Sequence, residues 1–321
     1  MTIPYLVAWI FSVSMMVLNA GIAPAQTYPY KPVRIVTAEF GGNGDFTARL
    51  IAQELSTSLG QQVVVENRPG IVIIPAEIVA NAQPDGYTLL SYGTNMWILP
   101  LLENTPYDPL RDYSAITLTT RSPDVLVVHP SVPAKSVKEL IALAKSSPGT
   151  LNYGSSGTGS STQLGAELFK AMAGVNIVGI KYKGAGPALN DLLGGEVQLM
   201  FGSPSSIAPH IISGRLRALA VTSAQPSALF PDLPTMAATG LPGYESGTMQ
   251  GMWAPANTPA IIINRLNQQV VRVLNQTDVR KRLLSTGVEA VGSSPGQLVT
   301  AIRSEMARFG KVIREAQLKL D

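Results

Sequence analysis

Short β-type runs alternate with helical patterns along most of this chain, and this alternation constrains the fold more than any other feature. The first half predicts strands at 33–36, 63–66 and 87–90, with helices at 45–55 and 75–82 between them. Gly60 ends the first helix, and Pro84-Asp85-Gly86 forms a turn before the third strand. A strand–helix–strand order of this kind predicts parallel βαβ units that build one sheet.

A second stretch repeats the same order and predicts a second sheet. Its strands are predicted at 125–128, 151–153, 178–182 and 197–201, and its helices at 137–145, 162–172 and 187–193. Breaks rich in Ser, Pro and Ala at 119–124 and 222–228 separate this stretch from the rest.

The C-terminal part returns to the first sheet through helices predicted at 259–274, 278–286 and 295–316. The sequence therefore predicts an α/β protein of two lobes, joined by two hinge crossings, with a ligand cleft between them. Lobe 1 is predicted to comprise residues 26–121 and 228–321, and lobe 2 residues 122–227.

The N-terminal segment has the pattern of an export signal. Residues 6–18 are apolar but too few to span a bilayer, and Ala23-Pro24-Ala25 places small residues before a cleavage point. Neither Lys nor Arg precedes the apolar run, and an uncleaved membrane anchor is the alternative. We expect residues 1–25 to be a signal peptide, cleaved between Ala25 and Gln26, and the mature protein to be periplasmic.

Charge and cysteine content exclude several functions. The 321 residues include 24 Lys and Arg against 21 Asp and Glu, a formal net charge of +3, without a basic cluster that would neutralise phosphates. Because the chain has no cysteine, thiol catalysis, disulfides and thiolate metal sites are ruled out. We expect a monomer with no metal, no cofactor and no nucleic-acid partner.

Gly-rich turns follow several predicted strands and precede helices. The first, Phe40-Gly41-Gly42-Asn43-Gly44-Asp45, offers unpaired helical N–H groups and a dipole that favours an anion. A tight turn with Asp45 as helix N-cap is an equally good reading. The second, at 152–162, carries hydroxyls and glycines without a charge, which suits a carboxylate held by neutral donors. It lacks the lysine of a phosphate-binding loop, and a flexible linker is the alternative.

Two further turns lie at Lys183-Gly184 and at Ser203. Ligands of open α/β sheets bind outside the carboxyl ends of the strands, so all four turns could line one cleft. Lys183 would add a positive charge there, unless it lies in solvent.

Residues for enzyme chemistry are few. His129 and His210 are the only histidines, they lack metal-ligand spacing, and no Gly-x-Ser-x-Gly motif occurs. Asp45 and Asp191 would have to meet in space to form a carboxylate pair. We expect no enzymatic activity, with an exported hydrolase as a remote alternative.

Several runs resemble one protein family in order and spacing across the whole mature chain. They are Tyr30-Lys31-Pro32-Val33-Arg34-Ile35-Val36, Gly41-Gly42 with Asp45 and Arg49, Val64-Val65-Glu66-Asn67-Arg68-Pro69-Gly70, Pro84-Asp85-Gly86-Tyr87-Thr88-Leu89, Tyr153-Gly154-Ser155-Ser156-Gly157, Tyr182-Lys183-Gly184, Asp191-Leu192-Leu193-Gly194-Gly195 and Trp253-Ala254-Pro255. In these runs the chain resembles the Bug-type solute-binding proteins of tripartite tricarboxylate transporters.

The resemblance implies a type II periplasmic binding protein fold whose lobes close on a dicarboxylate, an amino-dicarboxylate or an aromatic carboxylate. It also implies membrane transporter subunits as partners; a binding protein that feeds a signalling partner is the alternative. Carried over by position, the implied ligand contacts are Phe40, Gly41, Gly42, Asp45 and Thr94 in one lobe and Ser155, Ser156, Gly157, Thr158, Gly159, Ser160, Lys183, Gly184 and Ser203 in the other.

The chain departs from the family pattern at three places. Glu39 places an acid near the expected anion site, where a carboxylate would repel an anionic ligand unless screened or turned away. The Ile71-Val72-Ile73-Ile74-Pro75 run replaces a glycine-rich loop and is one residue shorter. Gln163 stands where a histidine is common.

Overall fold

The structure is a computed structural model that describes residues 28–37, 43–68 and 72–318. The predicted signal peptide at 1–25, with its cleavage point, lies outside the described residues. So do the predicted contacts Phe40, Gly41 and Gly42, together with Glu39 and Ile71.

The described part of the chain forms alternating strands and helices. The strands are β1 (Val33–Thr37), β2 (Val63–Asn67), β3 (Thr88–Gly93), β4 (Tyr113–Ser122), β5 (Val125–Val128), β6 (Asn152–Ser155), β7 (Val178–Lys181), β8 (Leu199–Gly202), β9 (Arg217–Val221), β10 (Thr248–Pro255) and β11 (Glu289–Ala290). The helices are α1 (Asn43–Leu59), α2 (Ile73–Ala80), α3 (Asn95–Ile98), α4 (Val137–Ser146), α5 (Ser161–Ala173), α6 (Ala185–Gly194), α7 (Pro204–Ile212), α8 (Ala260–Leu274), α9 (Thr277–Ser285) and α10 (Pro295–Glu315).

These strands build two sheets with the same internal order. Sheet 1 runs β2-β1-β3-β10-β4-β11, and sheet 2 runs β7-β6-β8-β5-β9. In each sheet the strand that has just crossed from the other sheet, β10 or β5, is inserted antiparallel between two strands of the host sheet. The predicted mixed α/β fold with two sheets is confirmed.

The strands divide the core because neighbouring residues point to opposite faces. In β1, Ile35 packs with helices α1 and α8 on one face, and Val36 packs on the other. In β10, Met252 packs on the same side as Ile35, and Trp253 packs on the same side as Val36. The cluster that contains Val36 and Trp253 extends beneath sheet 2, so one apolar core joins the two lobes.

Helix α10 lies across both lobes. A capping box fixes its start, since Ser294 accepts from the N–H of Gln297 while the Gln297 side chain accepts from the N–H of Ser294. The helix packs against β4 of sheet 1 and also against α5 of lobe 2. The C-terminal segment that was predicted to return to lobe 1 therefore also contacts lobe 2.

Two short segments carry the chain between the sheets. Only Pro123-Asp124 separates β4 from β5, because 119–122, predicted as part of the crossing, belong to β4. After β9, Phe230 and Leu233 pack beneath sheet 2, and the ring of Tyr244 stacks on Phe201 of β8. We propose that the return crossing lies near residues 246–247 rather than at 222–228, which would extend lobe 2 to about residue 245.

Thr222 holds the two crossings together. Its N–H and Oγ1 both donate to the carbonyl of Asp124, each at 2.9 Å. Its hydroxyl also lies 2.9 Å from the carbonyl of Ser246, and its own carbonyl accepts from the N–H of Ser246 at 3.0 Å. Hydrogen bonds through Thr222 thus join the two crossings.

Within the residues described, none of the helices is both long enough and apolar enough to cross a membrane. The same residues contain no group of three or more His, Cys, Asp or Glu side chains placed to hold a metal ion.

Candidate ligand-binding site

A cleft between the lobes contains three adjoining compartments that carry the predicted contacts. Compartment A, of about 310 Å³, is lined by Thr37, Gly44, Ser91, Tyr92, Gly93, Thr94, Asn95, Ser160, Ser161, Thr248 and Gln250. Compartment B, of about 320 Å³, is lined by Asn43, Gly44, Thr120, Ser122, Asp124, Ser156, Ser161, Thr162, Ala185, Ser203, Thr248, Gln250 and Val288. Compartment C, of about 410 Å³, is lined by Val72, Tyr92, Asn95, Ile98, Leu99, Leu102, Glu103, Ser156, Thr158, Gly159 and Ser160. Residues shared between their linings show that the three compartments are neighbours.

The N-termini of four helices reach compartment B. Asn43 begins α1, Ser161 begins α5, Ala185 begins α6, and Ser203 is the N-cap of α7. The first N–H groups of a helix have no carbonyl partner within the helix, and the helix dipole makes this end partially positive. Compartment B therefore has the features of an anion site without a basic side chain among its described residues.

Local hydrogen bonds shape the turn between β6 and α5. The N–H of Ser156 donates to Thr162 Oγ1 at 2.9 Å, and the hydroxyl of Ser160 donates to the carbonyl of Gly157 at 2.7 Å. Gly157 has a φ of +122°, which side chains rarely adopt, so the turn needs glycine there. These contacts fix the conformation of the turn.

Six of the predicted contact residues line the cleft. They are Thr94, Ser156, Thr158, Gly159, Ser160 and Ser203. Thr94 also ties β3 to β10, because its Oγ1 accepts from the N–H of Met249 at 2.9 Å.

The other described contacts lie beside the compartments rather than in their lining. They are Asp45, Ser155, Gly157, Lys183 and Gly184. Asp45 is buried, accepts from Asn67 Nδ2 at 2.7 Å and pairs with Arg49 at 2.9 Å, so its carboxylate stabilises the start of α1. Lys183 is exposed, and Gly184 is the N-cap of α6.

Sequence reasoning missed several residues of the lining. Thr248 and Gln250 come from β10, which enters sheet 1 from the other lobe, and no local motif marks them. Ser161 and Thr162 lie at the end of the Ser/Gly run but were not among the predicted ligand contacts. Asp124 lay in a predicted crossing, without a signal that its side chain would face the cleft.

Several buried polar atoms of this lining have no hydrogen-bond partner among the described residues. They are Ser91 Oγ, Thr120 Oγ1, Asp124 Oδ2, Thr158 Oγ1 and Gln250 Oε1. Buried polar groups are normally paired, because an unpaired one costs about 1–3 kcal/mol. Their clustering at one cleft indicates that a polar ligand or ordered water completes the site.

Asp124 is the buried ionisable group of the lining, with 2% of its surface exposed. Burial raises the pKa of its carboxyl to about 7, and a hydrogen bond from Ser161 opposes this shift.

The histidines and the Asp pair considered for catalysis lie elsewhere. His129 is bonded to Ser131 at 2.7 Å, and His210 is on α7; neither lines a compartment of the cleft. Asp191 accepts from the hydroxyl of Tyr182 at 2.7 Å, whereas Asp45 is held by Asn67 and Arg49.

Known proteins share both the sequence and the fold. The family model described as the tripartite tricarboxylate transporter family receptor matches residues 47–318. Protein BugT of Bordetella pertussis (strain Tohama I) is 36% identical over 316 residues, and the match covers 96% of this chain and 97% of BugT.

Solved structures of solute-binding proteins superpose on this chain. R. palustris Rpa4515 with adipate is 36% identical with a TM-score of 0.74, covering 92% of this chain and 100% of that one. MatC from Rhodopseudomonas palustris with bound malate is 31% identical with a TM-score of 0.69, covering 89% and 100%. A TctC solute-binding protein from Polaromonas without ligand is 25% identical with a TM-score of 0.83, covering 90% and 100%.

These similarities confirm the predicted periplasmic binding protein fold and the resemblance seen in the motifs. The chain belongs to the family of tripartite tricarboxylate transporter receptors.

Proposed function

We propose that this chain captures a small carboxylate outside the cytoplasm and delivers it to the membrane subunits of a tripartite tricarboxylate-type transporter. Binding would occur by closure of the lobes, without chemical change of the ligand. The observation that carries the proposal is the convergence of four helix N-termini on compartment B, whose described lining has no Lys or Arg.

Helix N-termini suit a receptor that must also release its ligand. Each contributes about 0.3–1 kcal/mol toward an anion when exposed and up to about 2 kcal/mol when partly buried. An exposed ion pair with Lys or Arg contributes only about 0–1 kcal/mol. Four converging N-termini therefore attract an anion more strongly than a single surface lysine would, and they do so without a basic side chain in the described lining.

The size of the cleft and the ligands of related structures favour a C4–C6 dicarboxylate or a ligand of similar size. Compartments A and B are each close to the lower end of the range of about 300–1,000 Å³ for small-molecule sites. The related Rpa4515 and MatC structures contain adipate and malate.

Closure of the lobes is supported by the hinge and by the structural comparison. Only a few residues form each crossing, which is the usual construction of a hinge. The TM-score is higher for the ligand-free Polaromonas structure than for the two ligand-bound structures, although its sequence identity is lower. The lobes of this chain are therefore arranged more like those of the ligand-free structure, which supports a change in lobe arrangement on binding.

The test is ligand-dependent stabilisation of the purified mature protein. A ligand that binds only the folded state raises the unfolding free energy by about 2.7 kcal/mol at 100 times its Kd. We expect thermal unfolding to shift upward with a subset of C4–C6 dicarboxylates, amino-dicarboxylates or small aromatic acids. No shift with any acid of such a panel would overturn the proposal.

A pair of matched variants tests the anion site. Ser203→Asp keeps a residue type that is favoured at the N-cap but adds a negative charge beside compartment B, and we expect ligand affinity to fall at least about tenfold. Ser136→Asp makes the same change at the N-cap of α4, away from the cleft, and should bind as the parent does. Equal affinities in the two variants would place the anion elsewhere.

A further inference from the structure

Asp124 occupies an unusual position for a charged side chain. It is one of only two residues between β4 and β5, it is 2% exposed, and it lines compartment B. Its carbonyl is used by the hinge, where it accepts from the N–H and the hydroxyl of Thr222. The backbone is therefore fixed, and the carboxyl is held at the cleft.

The carboxyl of Asp124 has an unused acceptor. Ser161 at the start of α5 provides one hydrogen bond to the side chain. Oδ2 is buried and has no hydrogen-bond partner among the described residues. A buried carboxylate oxygen normally receives a donor, because leaving it unpaired is costly.

No basic side chain balances this acid within the described lining. Among the described residues, the lining of the three compartments includes no Lys, Arg or His, and Glu103, the other acid of this described lining, is exposed. The remaining described neighbours from α5, α7 and β10 in compartment B are uncharged, and the buried phenol of Tyr244 is a titratable group that interacts with Asp124. When Asp124 is ionised, its charge therefore has no counter-charge among the described residues of this lining.

We propose that Asp124 is a specificity-determining residue that receives the protonated amine of an amino-carboxylate, while the ligand carboxylate lies at the helix N-termini of compartment B. The inference rests on the function proposed above and narrows its substrate class. An ammonium supplies both the missing donor and the missing charge, whereas a hydroxyl supplies only the donor.

The protonation of Asp124 provides a second, independent readout. Its pKa of about 7 means that the carboxyl is about half protonated at pH 7 in the empty cleft. A bound ammonium favours the ionised form, so the complex releases protons. A dianion without an amine favours the neutral form, so the complex takes protons up.

The experiment compares acids that differ only in one substituent. Isothermal titration calorimetry of the full mature protein would use succinate, malate and aspartate, then glutarate, 2-hydroxyglutarate and glutamate, and then adipate and 2-aminoadipate. We expect the amino member of at least one series to bind about 10- to 100-fold more tightly than the unsubstituted acid. Titrations at pH 7 in buffers of different ionisation enthalpy should show release of up to about half a proton for that ligand.

Asp124→Asn keeps the shape of the side chain and removes its charge. We expect the preference for the amino acid to fall by at least about tenfold and the linked proton to disappear, while unsubstituted acids bind at least as tightly as before. Asp232→Asn makes the same change at an exposed acid that lines none of the three compartments, and it should keep both the preference and the proton release.

Three results would overturn the inference. They are equal binding of amino and unsubstituted acids, an equal gain from a hydroxyl, and proton uptake with the amino ligand. If Asp124→Asn does not fold, the parent protein alone tests the inference. Release of protons on binding of the amino ligand supports it, and uptake of protons overturns it. Failure of every acid to bind overturns the proposed function as well, so the two failures are distinguishable.

Discussion

The side-chain Oε1 of Gln163 accepts a hydrogen bond from the backbone N–H of Gly159 at 2.8 Å. Gln163 lies in the first turn of α5 with 3% of its surface exposed, and Gly159 lies in the turn that lines compartment C. This hydrogen bond ties the turn to the first turn of α5. The residue that departs from the histidine common in the family therefore has a structural role beside the cleft.

Replacing Gln163 with Leu should weaken ligand binding more than folding. The change leaves the buried N–H of Gly159 unpaired, at a cost of about 1–3 kcal/mol, and frees a turn that lines compartment C. Gln198→Leu is the control, because Gln198 Oε1 accepts from the N–H of Asn152 at 2.9 Å at the opposite end of β6. We expect similar losses of unfolding free energy but a fall in affinity only for Gln163→Leu, measured by chemical denaturation and calorimetry. Equal affinities in the two variants would contradict a positioning role.

A second prediction concerns Gly157, whose φ is +122°. An added Cβ would meet nothing closer than the carbonyl of Tyr182 at 3.8 Å, so the cost of Gly157→Ala is backbone strain of about 1–3 kcal/mol. Relief of that strain would rotate the neighbouring Ser156 and Thr158, which line the cleft, and we expect ligand-induced thermal stabilisation to be lost.

The matched control for that change is Gly174→Ala at the C-cap of α5, where φ is +61° and nothing lies within 4 Å. It should lower stability by about 1–2 kcal/mol without affecting binding. His129→Ala should also leave binding intact, because that ring bonds only to Ser131 outside the cleft. Retention of binding by Gly157→Ala would show that this turn does not contact the ligand.

The sequence predicted the parallel parts of both sheets well, because each strand there is a compact apolar run followed by a turn and a helix. Gly60 follows the end of α1 at Leu59 as expected, and the helix predicted at 75–82 occurs at Ile73–Ala80. Such elements are fixed by local periodicity and by turn residues, which a single sequence contains.

Long-range pairings could not be predicted in the same way. Strand β10 pairs with β3 and β4, which lie more than 100 residues earlier, so no local pattern places Gln250 in the cleft. The position of Asp124 likewise depends on how two crossings meet at Thr222. The missed lining residues are those whose place depends on tertiary contacts between separate segments.

A third prediction concerns Gly247, which lies in the proposed return crossing. Its φ is +129°, and an added Cβ would lie 2.6 Å from the carbonyl oxygen of Ser122 and 3.0 Å from Pro123 Cα. Because both obstacles are backbone atoms, Gly247→Ala must separate the two crossings, and we expect a loss of roughly 3 kcal/mol or more in unfolding free energy. Ligand-dependent compaction in small-angle X-ray scattering should weaken as well.

Gly243→Ala is the control for the hinge, since Gly243 has a φ of +81° and nothing within 4 Å. It should cost only the local strain of about 1–2 kcal/mol and leave the ligand-dependent change in radius of gyration as in the parent. If both variants compact normally, the close approach of the crossings is not needed for closure.

The last prediction is a pH dependence from Glu305, which lies on α10 with 2% exposure and accepts a hydrogen bond from Trp97 Nε1 of α3. Burial raises the pKa of its carboxyl from 4.5 to about 7, opposed by the Trp97 bond and by Arg308. Between these values the unfolded chain releases its proton while the folded chain keeps it. Rising pH therefore favours unfolding by up to roughly 3 kcal/mol, and this loss is complete above pH 7.

Glu305→Gln keeps an acceptor for Trp97 but cannot ionise. Its unfolding free energy minus that of the parent should therefore rise between pH 4.5 and 7 and then stay constant, by roughly 3 kcal/mol in total. Because other acids contribute equally to both proteins, the difference isolates this carboxyl. Glu315→Gln, near the exposed C-terminal end of the same helix, should differ from the parent by less than about 0.5 kcal/mol at every pH. Urea denaturation at half-unit pH steps measures all three curves, and a Glu305→Gln curve parallel to that of the parent would mean that Glu305 ionises in the folded protein as readily as in the unfolded chain.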